Sequence, residues 1–161
     1  MSSTKVVALD RVADRVNELR RTGKRIVATN GCFDLLHVGH VRYLKQARGL
    51  GDVLVVGLNG DESVRALKGV GRPLNPVADR AEVLAALTAV DVVTVFAEPR
   101  ATAFIEAVRP DVYVKGGDYT RESLNSDERA ALEKIGAKIE IVSFEQGYST
   151  SELLMRLQRG K

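Results

Sequence analysis

The chain has no tryptophan, one cysteine, two histidines and only 5% aromatic residues in its 161 positions. A single cysteine excludes an internal disulfide and any multi-cysteine zinc spacing. No apolar run approaches the ~20 residues that a membrane helix needs. The opening stretch, "MSSTKVVALDRVADRVNELRR", alternates charged and apolar residues and holds no signal-peptide core. Charge of one sign is also scarce in excess: the net value is +3, with Lys and Arg spread along the chain. A nucleic-acid protein would gather them into a stripe with aromatics, so nucleic acid is not expected as a partner. A small anionic substrate suits the mild excess equally well. What is present, 45% hydrophobic and 28% charged residues, is globular. The expectation is a cytoplasmic enzyme or binding domain with no membrane partner.

Periodicity divides the chain into alternating helices and strands. "LDRVADRVNELRRTGK" (9–24) sets Val12, Val16 and Leu19 on one helical face, as a leading helix before a core at 25–161. Strand patterns follow at 25–29, 52–58, 91–96, 111–117 and 138–144. Helix patterns lie between and after them, at 38–50, 60–69, 77–87, 100–110, 126–137 and 149–161. Pro110 stops one helix, and Ser126 and Ser149 or Thr150 read as helix starts. Such alternation predicts one α/β domain, doubly wound and Rossmann-like, with a five-stranded parallel sheet in the order 3-2-1-4-5. In that order the first and fourth strands are neighbours whose connections leave in opposite directions, and ligands bind at their carboxyl ends. Asn30 and Lys115 end those strands, so "NGCFD" and "KGGDY" face each other across the expected site.

The first strand-to-helix turn, "NGCFDLLHVGHVRYL" (30–44), contains both histidines and the cysteine. It holds neither G-x-G-x-x-G nor a P-loop, so ordinary dinucleotide and P-loop readings are weak. It places His37, Gly39 and His40 at a helix start, where free N–H groups and the helix dipole attract phosphate. Two imidazoles three apart there project to one side and can meet one phosphate. Cys32, beside them, is open to two readings: an activated nucleophile or an ordinary small core residue. The core reading is preferred.

"GCFDLLHVGH" (31–40) resembles the G-x-F-D-x-x-H-x-G-H signature of the cytidylyltransferase-like nucleotidyltransferases, and "GYSTS" (147–151) resembles their G-x-S-T-[ST] signature. These enzymes move a nucleoside monophosphate from a triphosphate onto a phosphate and release pyrophosphate. Within that family, "TNGCFDLLHVGH", "LKGVGRPLNPVADR" (67–80), "VKGGDY" (114–119) and "FEQGYSTSELL" (144–154) are similar to the heptose-1-phosphate adenylyltransferases of ADP-heptose synthesis, over almost the whole chain. The glycerol-3-phosphate cytidylyltransferase branch carries an Arg-Thr pair where this chain has Phe144-Glu145, which weighs against a cytidylyl reading.

The resemblance implies site roles. His37, His40 and Lys68 are expected to hold the triphosphate and stabilise the transition state. Asn30, Gly31, Cys32, Phe33, Gly39, Lys115, Gly116, Asp118, Gly147, Ser149 and Thr150 are expected around the nucleotide. Asn59, Arg72, Asn75 and Arg80 are expected to meet a sugar phosphate. Lys68 is alternatively a solvated loop lysine, Arg80 a solvent-facing helix arginine, Asn59 a turn former, and Asp34 either holds the loop or orients a histidine, with the first preferred. No carboxylate cluster forms a metal cage. The expected cofactor is magnesium carried mainly by ATP phosphates. A homodimer is implied, as is a separate upstream sugar kinase, since the related unit is often fused behind one. A different phosphate acceptor or a non-catalytic nucleotide sensor would keep the same triphosphate site.

Overall fold

The computed structural model describes residues 4–117, 119–144 and 146–160. Its elements run α1 (Leu9–Arg21), β1 (Ile26–Gly31), α2 (Val38–Arg48), β2 (Val53–Asn59), α3 (Asp61–Lys68), α4 (Val77–Ala85), β3 (Val92–Phe96), α5 (Thr102–Val108), β4 (Val112–Gly116), α6 (Ser126–Ile135), β5 (Lys138–Val142) and α7 (Thr150–Arg159). The five strands are parallel in the order β3-β2-β1-β4-β5, as the alternation predicts.

The sheet's two faces make two cores. On one face α1, α5 and α6 cover Ile26, Ala28, Val55 and Tyr113; Val12 and Val16 of α1 are fully buried there. On the other, α2 and α4 cover Val27, Leu54, Val56, Val112 and Val114 through Leu44, Ala47 and Leu84. Successive strand residues alternate between these cores because strand side chains alternate between faces. Both faces are covered, so β2 is buried at every position.

Three strands share an Asp-Val start, and the aspartates close the sheet's amino end. Asp52 accepts from Arg25 N–H at 2.8 Å, Asp91 from Leu54 N–H at 2.8 Å, and Asp111 from Ile26 N–H at 2.7 Å. Each satisfies a backbone donor at or beside the start of a strand, which would otherwise be unpaired. The segment before α1 adds a further bridge, unforeseen from the sequence: Val6 pairs with Val93, and Lys5 donates to the carbonyls of Leu87 and Val90.

One helix end differs from expectation. α5 ends at Val108, ahead of Pro110, because Arg109 takes a left-handed conformation (φ 48°). α6 starts at Ser126 as expected, and Asn125 caps it, with Oδ1 accepting from the N–H groups of Asp127 and Glu128. Ser149 is the cap of α7 and accepts from Glu152 N–H at 3.0 Å.

The feature that positions the site is a parting of β1 and β4. Their register covers only Val27 with Val112 and Ala28 with Tyr113, although β1 continues to Gly31 and β4 to Gly116. Beyond that point side chains bridge the gap. The carbonyl of Val114 accepts from Thr29 Oγ1 at 2.8 Å and from the Tyr43 hydroxyl at 3.2 Å. Thr29 Oγ1 and Tyr43 OH also lie 2.7 Å apart, so the two hydroxyl protons are shared among these three contacts. The buried Tyr113 hydroxyl bonds Asn30 Oδ1 on the opposite face. The crevice thus opens without leaving these polar groups unpaired.

Candidate active site

A cavity of about 650 Å³ lies at the carboxyl end of the sheet, centred on that parting. "NGCF" of β1 and its turn forms one wall, and Lys115 and Gly116 the other. Asp118 of the expected "KGGDY" wall lies outside the described residues, as does Glu145 of the Phe144-Glu145 pair.

The histidine turn is built by reciprocal capping. His37 caps α2, and its Nδ1 accepts from Gly39 N–H at 3.1 Å. The His37 N–H in turn donates to His40 Nδ1 at 3.3 Å. Both Nδ1 atoms are therefore acceptors, so each neutral ring carries its proton on Nε2. The ring centroids are 4.0 Å apart. Burial lowers the His37 pKa. Burial, with His37 and the Lys68 charge adding, pushes His40 down to about 4. At neutral pH the pair offers Nε2–H donors rather than positive charge. His40 lines the cavity, and His37 stands behind it at the helix cap. A Cβ on Gly39 would sit 2.8 Å from the His37 ring and 2.9 Å from Tyr148 Cβ, so the close approach of α2 to the turn before α7 requires glycine.

The start of α7 reaches the same end of the cavity through Thr150, which lines it and whose hydroxyl lies 3.5 Å from Leu35 O. Gly147 and Ser149 shape the turn and cap rather than the lining: Gly147 has φ 87°, and Ser149 holds Glu152. Asn30, Gly31, Cys32 and Phe33 all line the cavity. Phe33 has φ 42°, a left-handed conformation unusual for a residue of its bulk. It bends the chain directly after β1 and packs its ring 5.5 Å from that of His40. Gly116 lies under aromatic rings: a Cβ there would meet Phe144 at 2.5 Å and Tyr43 at 2.9 Å.

The Cys32 thiol is pushed up by burial, against the lowering pull of Lys68 and Arg80. It lines the cavity as a neutral thiol at pH 7, which is the wrong state for a nucleophile.

Asp34 proves to be a clamp. Its side chain is 2% exposed and accepts from Arg72 Nε at 2.7 Å, Leu74 N–H at 2.8 Å and Asn75 N–H at 3.0 Å. Burial works to raise its carboxyl, but the bonds from Asn75, Leu74 and Arg72 outweigh it and hold it below the usual range. Asn75 returns a bond from Nδ2 to Asp34 O at 2.9 Å. The "RPLN" loop is thereby tied to the histidine turn.

These contacts reassign two expected acceptor residues, Asn75 and Arg80. Asn75 does not line the cavity, because its side-chain amide is engaged with Asp34. Arg80 is neither solvent-facing nor aimed at an acceptor. It is 2% exposed and donates to Asn75 O at 2.9 Å, Cys32 O at 2.6 Å, Asn59 O at 2.9 Å and Asp61 Oδ1 at 2.7 Å. It is a strut joining the turns after β1 and β2 to α4. Asn59 is buried, lines the cavity and donates to Ser63 Oγ at 2.8 Å. Arg72 lines the cavity while held by Asp34, and Lys68 lines it from the end of α3 as an exposed side chain. Sequence reasoning missed Tyr43, Arg100, Asn125, Glu128 and Phe144 as lining residues, while Tyr119 belongs to the expected "KGGDY" wall. Arg100 and Glu128 carried no motif; only their places after β3 and at the start of α6 put them at the sheet's carboxyl end.

A histidine helix start, a second helix start and clustered cations around a crevice at the sheet's switch point define a phosphate-handling α/β enzyme site. The comparisons give the class. Residues 28–156 match the Cytidylyltransferase-like family model, and the chain belongs to that family. It is 50% identical over 159 residues to the bifunctional protein HldE of Geotalea uraniireducens, covering 99% of this chain and 32% of that protein. It is 52% identical over 143 residues to the HldE of Alkalilimnicola ehrlichii, covering 89% and 30% respectively. The chain thus spans about a third of the length of these curated relatives. Among solved structures, the lipopolysaccharide core biosynthesis protein of Thermoplasma volcanium superposes with a TM-score of 0.64 at 29% identity, over 79% of this chain and 100% of that one. A pantoate-beta-alanine ligase from Francisella tularensis shares the fold at 13% identity, with a TM-score of 0.61 over 95% of this chain and 76% of that one. No described helix is long and apolar enough to cross a membrane.

Two predictions follow from the buried groups. Arg80→Ala leaves three carbonyls and Asp61 without this donor, so folding stability should drop by about 3 kcal/mol or more, a scale set by breaking buried pairs. Urea unfolding measures it; a loss below about 1 kcal/mol would show that Arg80 is not a strut. The second concerns pH. His40 resists protonation until about 4 in the fold, whereas an unfolded histidine takes its proton near 6.5. Between those values the unfolded chain binds more protons, so stability should fall as pH drops from about 6.5 to 4 and its His40 part should be complete above 6.5. Melting curves of wild type and His40→Gln should converge as pH falls through that window. Parallel curves would remove His40 as the source.

Proposed function

We propose that the chain transfers AMP from ATP to D-glycero-D-manno-heptose 1-phosphate, giving ADP-heptose and pyrophosphate. The observation that carries this reading is the reciprocally capped His37–His40 turn, whose His40 lines one cavity with Lys68 and keeps its Nε2–H free of the turn. The sugar and base rest on the resemblance of the motifs to heptose-1-phosphate adenylyltransferases, supported by the match of nearly the whole chain to bifunctional HldE proteins.

The chemistry needs positioning and charge neutralisation more than covalent help. An oxygen of the sugar phosphate attacks the α-phosphorus of ATP. The bond from that phosphorus to the oxygen bridging to the β-phosphate breaks, and pyrophosphate departs with the electron pair. The attacking phosphate is already ionised at neutral pH, so no general base is required. The Nε2–H donors meet charge that grows on the α-phosphate, and Lys68 meets the departing pyrophosphate. Among the described residues no three His, Cys, Asp or Glu side chains converge as a metal site, and the nearby Asp34 is engaged by its loop. That donor set fits magnesium held by the phosphates and water rather than by a protein cage. When bound, the cation would neutralise the leaving group.

Removing one preorganised donor of this kind costs ~10²–10³ in rate. His40→Ala and His37→Ala should lower kcat on that scale while staying folded, and Cys32→Ser should keep most of the activity. Near-normal turnover in a folded histidine variant would refute the transition-state role.

Substrate choice is read from a panel of triphosphates and phosphates, with product mass measured directly. ATP should exceed CTP in kcat/KM, and the heptose 1-phosphate should exceed glycerol 3-phosphate. A CTP preference would move the chain to the cytidylyl branch. Nucleotide binding with no pyrophosphate release from any pair would leave a sensor.

A further inference from the structure

The cavity has two flanks, and the reaction as read so far uses one. On the α2 side stand His40 and Lys68. On the α5 and α6 side stand Arg100, Lys115 and Glu128; the family resemblance puts Lys115 near the nucleotide, whereas Arg100 and Glu128 have no place in the triphosphate machinery. Among the described residues neither Arg100 nor Lys115 forms a hydrogen bond or ion pair; Lys115 Nζ lies over the rings of Tyr113 and Tyr119, at 5.9 and 5.2 Å from their centroids. Glu128 is 6% exposed, and its Oε1 accepts from Ala101 N–H at 2.7 Å. That bond fixes the carboxylate against the residue next to Arg100. No donor among the described residues bonds its other oxygen.

We infer that Arg100 and Lys115 hold the phosphate of the acceptor and that the free oxygen of Glu128 takes its hydroxyls, so this flank selects a phosphorylated polyhydroxy compound. The inference rests on the proposed reaction for the identity of the second substrate. Three observations lead to it. The arginine that the motif offered for the acceptor, Arg80, is 2% exposed and makes four bonds to protein acceptors, and Arg72 is tied to Asp34 through Nε. In-line displacement brings the attacking oxygen in opposite the leaving group, so the acceptor's anion needs cations away from those that meet pyrophosphate. Arg100 and Lys115 are those cations. Third, a buried carboxylate beside an anion site repels a phosphate brought against it but accepts hydroxyl donors well. An acceptor with hydroxyls next to its phosphate satisfies all three groups, and one without them leaves Glu128 desolvated and unpaired. Burial and the Arg100 charge lower the Lys115 pKa while Glu128 raises it, consistent with a lysine awaiting an anion.

Arg100 is exposed, so Arg100→Ala should fold normally. Steady-state kinetics with ATP and the heptose 1-phosphate should show KM for the acceptor raised on the order of 10- to 100-fold, the scale of one lost charge-assisted hydrogen bond, with KM for ATP within about 2-fold. Arg100→Lys should recover part of the loss. Glu128→Gln should raise KM for the heptose 1-phosphate more than it alters binding of inorganic phosphate. A rise in KM for ATP, or unchanged KM for the acceptor, would overturn the assignment. A binding measurement separates this failure from failure of the reaction itself. Wild type saturated with a non-hydrolysable ATP analogue should bind inorganic phosphate calorimetrically, and Arg100→Ala should weaken that binding by a similar factor. Equal phosphate binding by both proteins would sink the inference even if ADP-heptose forms. Loss of binding in the variant would sustain the anion site even if the heptose proves to be the wrong sugar.

Discussion

β1 and β4 pair for two residues and then part, and the site depends on that parting. A parallel sheet loses ladder bonds where two strands diverge, and a buried carbonyl without a partner is costly. Here the Val114 carbonyl is met by Thr29 and Tyr43 hydroxyls instead of a backbone N–H. Tyr43 comes from α2, the helix that carries the histidines, so the group that satisfies the split also sets the height of the helix above it. Burial pushes the Tyr43 hydroxyl up to about 12, against the lowering bond from Thr29. It therefore remains a neutral donor and acceptor at any pH where the protein works. Tyr113 and Asn30 make the matching tie on the other face.

The loops around the crevice are then fixed by two ionic centres that do opposite things with the same principle. Asp34 is an anion surrounded by donors from the "RPLN" loop, and Arg80 is a cation surrounded by carbonyls from the turns after β1 and β2 and by Asp61. Buried charge is tolerated only when its hydrogen-bonding capacity is filled. Each centre ties segments distant in sequence, and together they hold the loop between α3 and α4 against the first turn without an apolar core of its own. Val70 and Leu74 in that loop remain exposed, which is why polar ties are needed there.

The fold was legible because its signal is periodic. Val27 and Ala28 point to different cores, and Val12 and Val16 share one helical face; both patterns are visible in the letters. The histidine turn was legible because residues 31–40 are contiguous and their chemistry is local. Arg80 was misread because its sequence neighbours say only that it lies on a helix. That the helix face points at three carbonyls from other segments is a tertiary fact. Asp34 was read more nearly, since an aspartate in a strand-to-helix turn commonly accepts backbone N–H bonds, although its partners about 40 residues away were not visible. Arg100 and Glu128 were missed for a related reason: each is an ordinary charge at an element boundary, and only the strand order brings the two boundaries to one rim. The Val6 bridge to β3 was missed because three residues are too few for periodicity to show.

The site divides its electrostatic work between two kinds of group. Formal positive charge comes from Lys68, exposed at the end of α3 and able to follow a ligand. Direction comes from the histidines, which are kept neutral by burial and whose Nδ1 atoms are already engaged by the backbone of their own turn. A buried imidazolium pair 4.0 Å apart would be opposed by desolvation and by mutual repulsion. Neutral rings avoid both terms, and His40 lines the cavity with an Nε2–H that its own turn does not use. Donors fixed in advance need no reorganisation when charge develops, which is where such groups contribute most to rate. The same logic explains the capping geometry. The turn satisfies its own backbone with Nδ1, and the Nε2 protons are left for whatever enters the crevice.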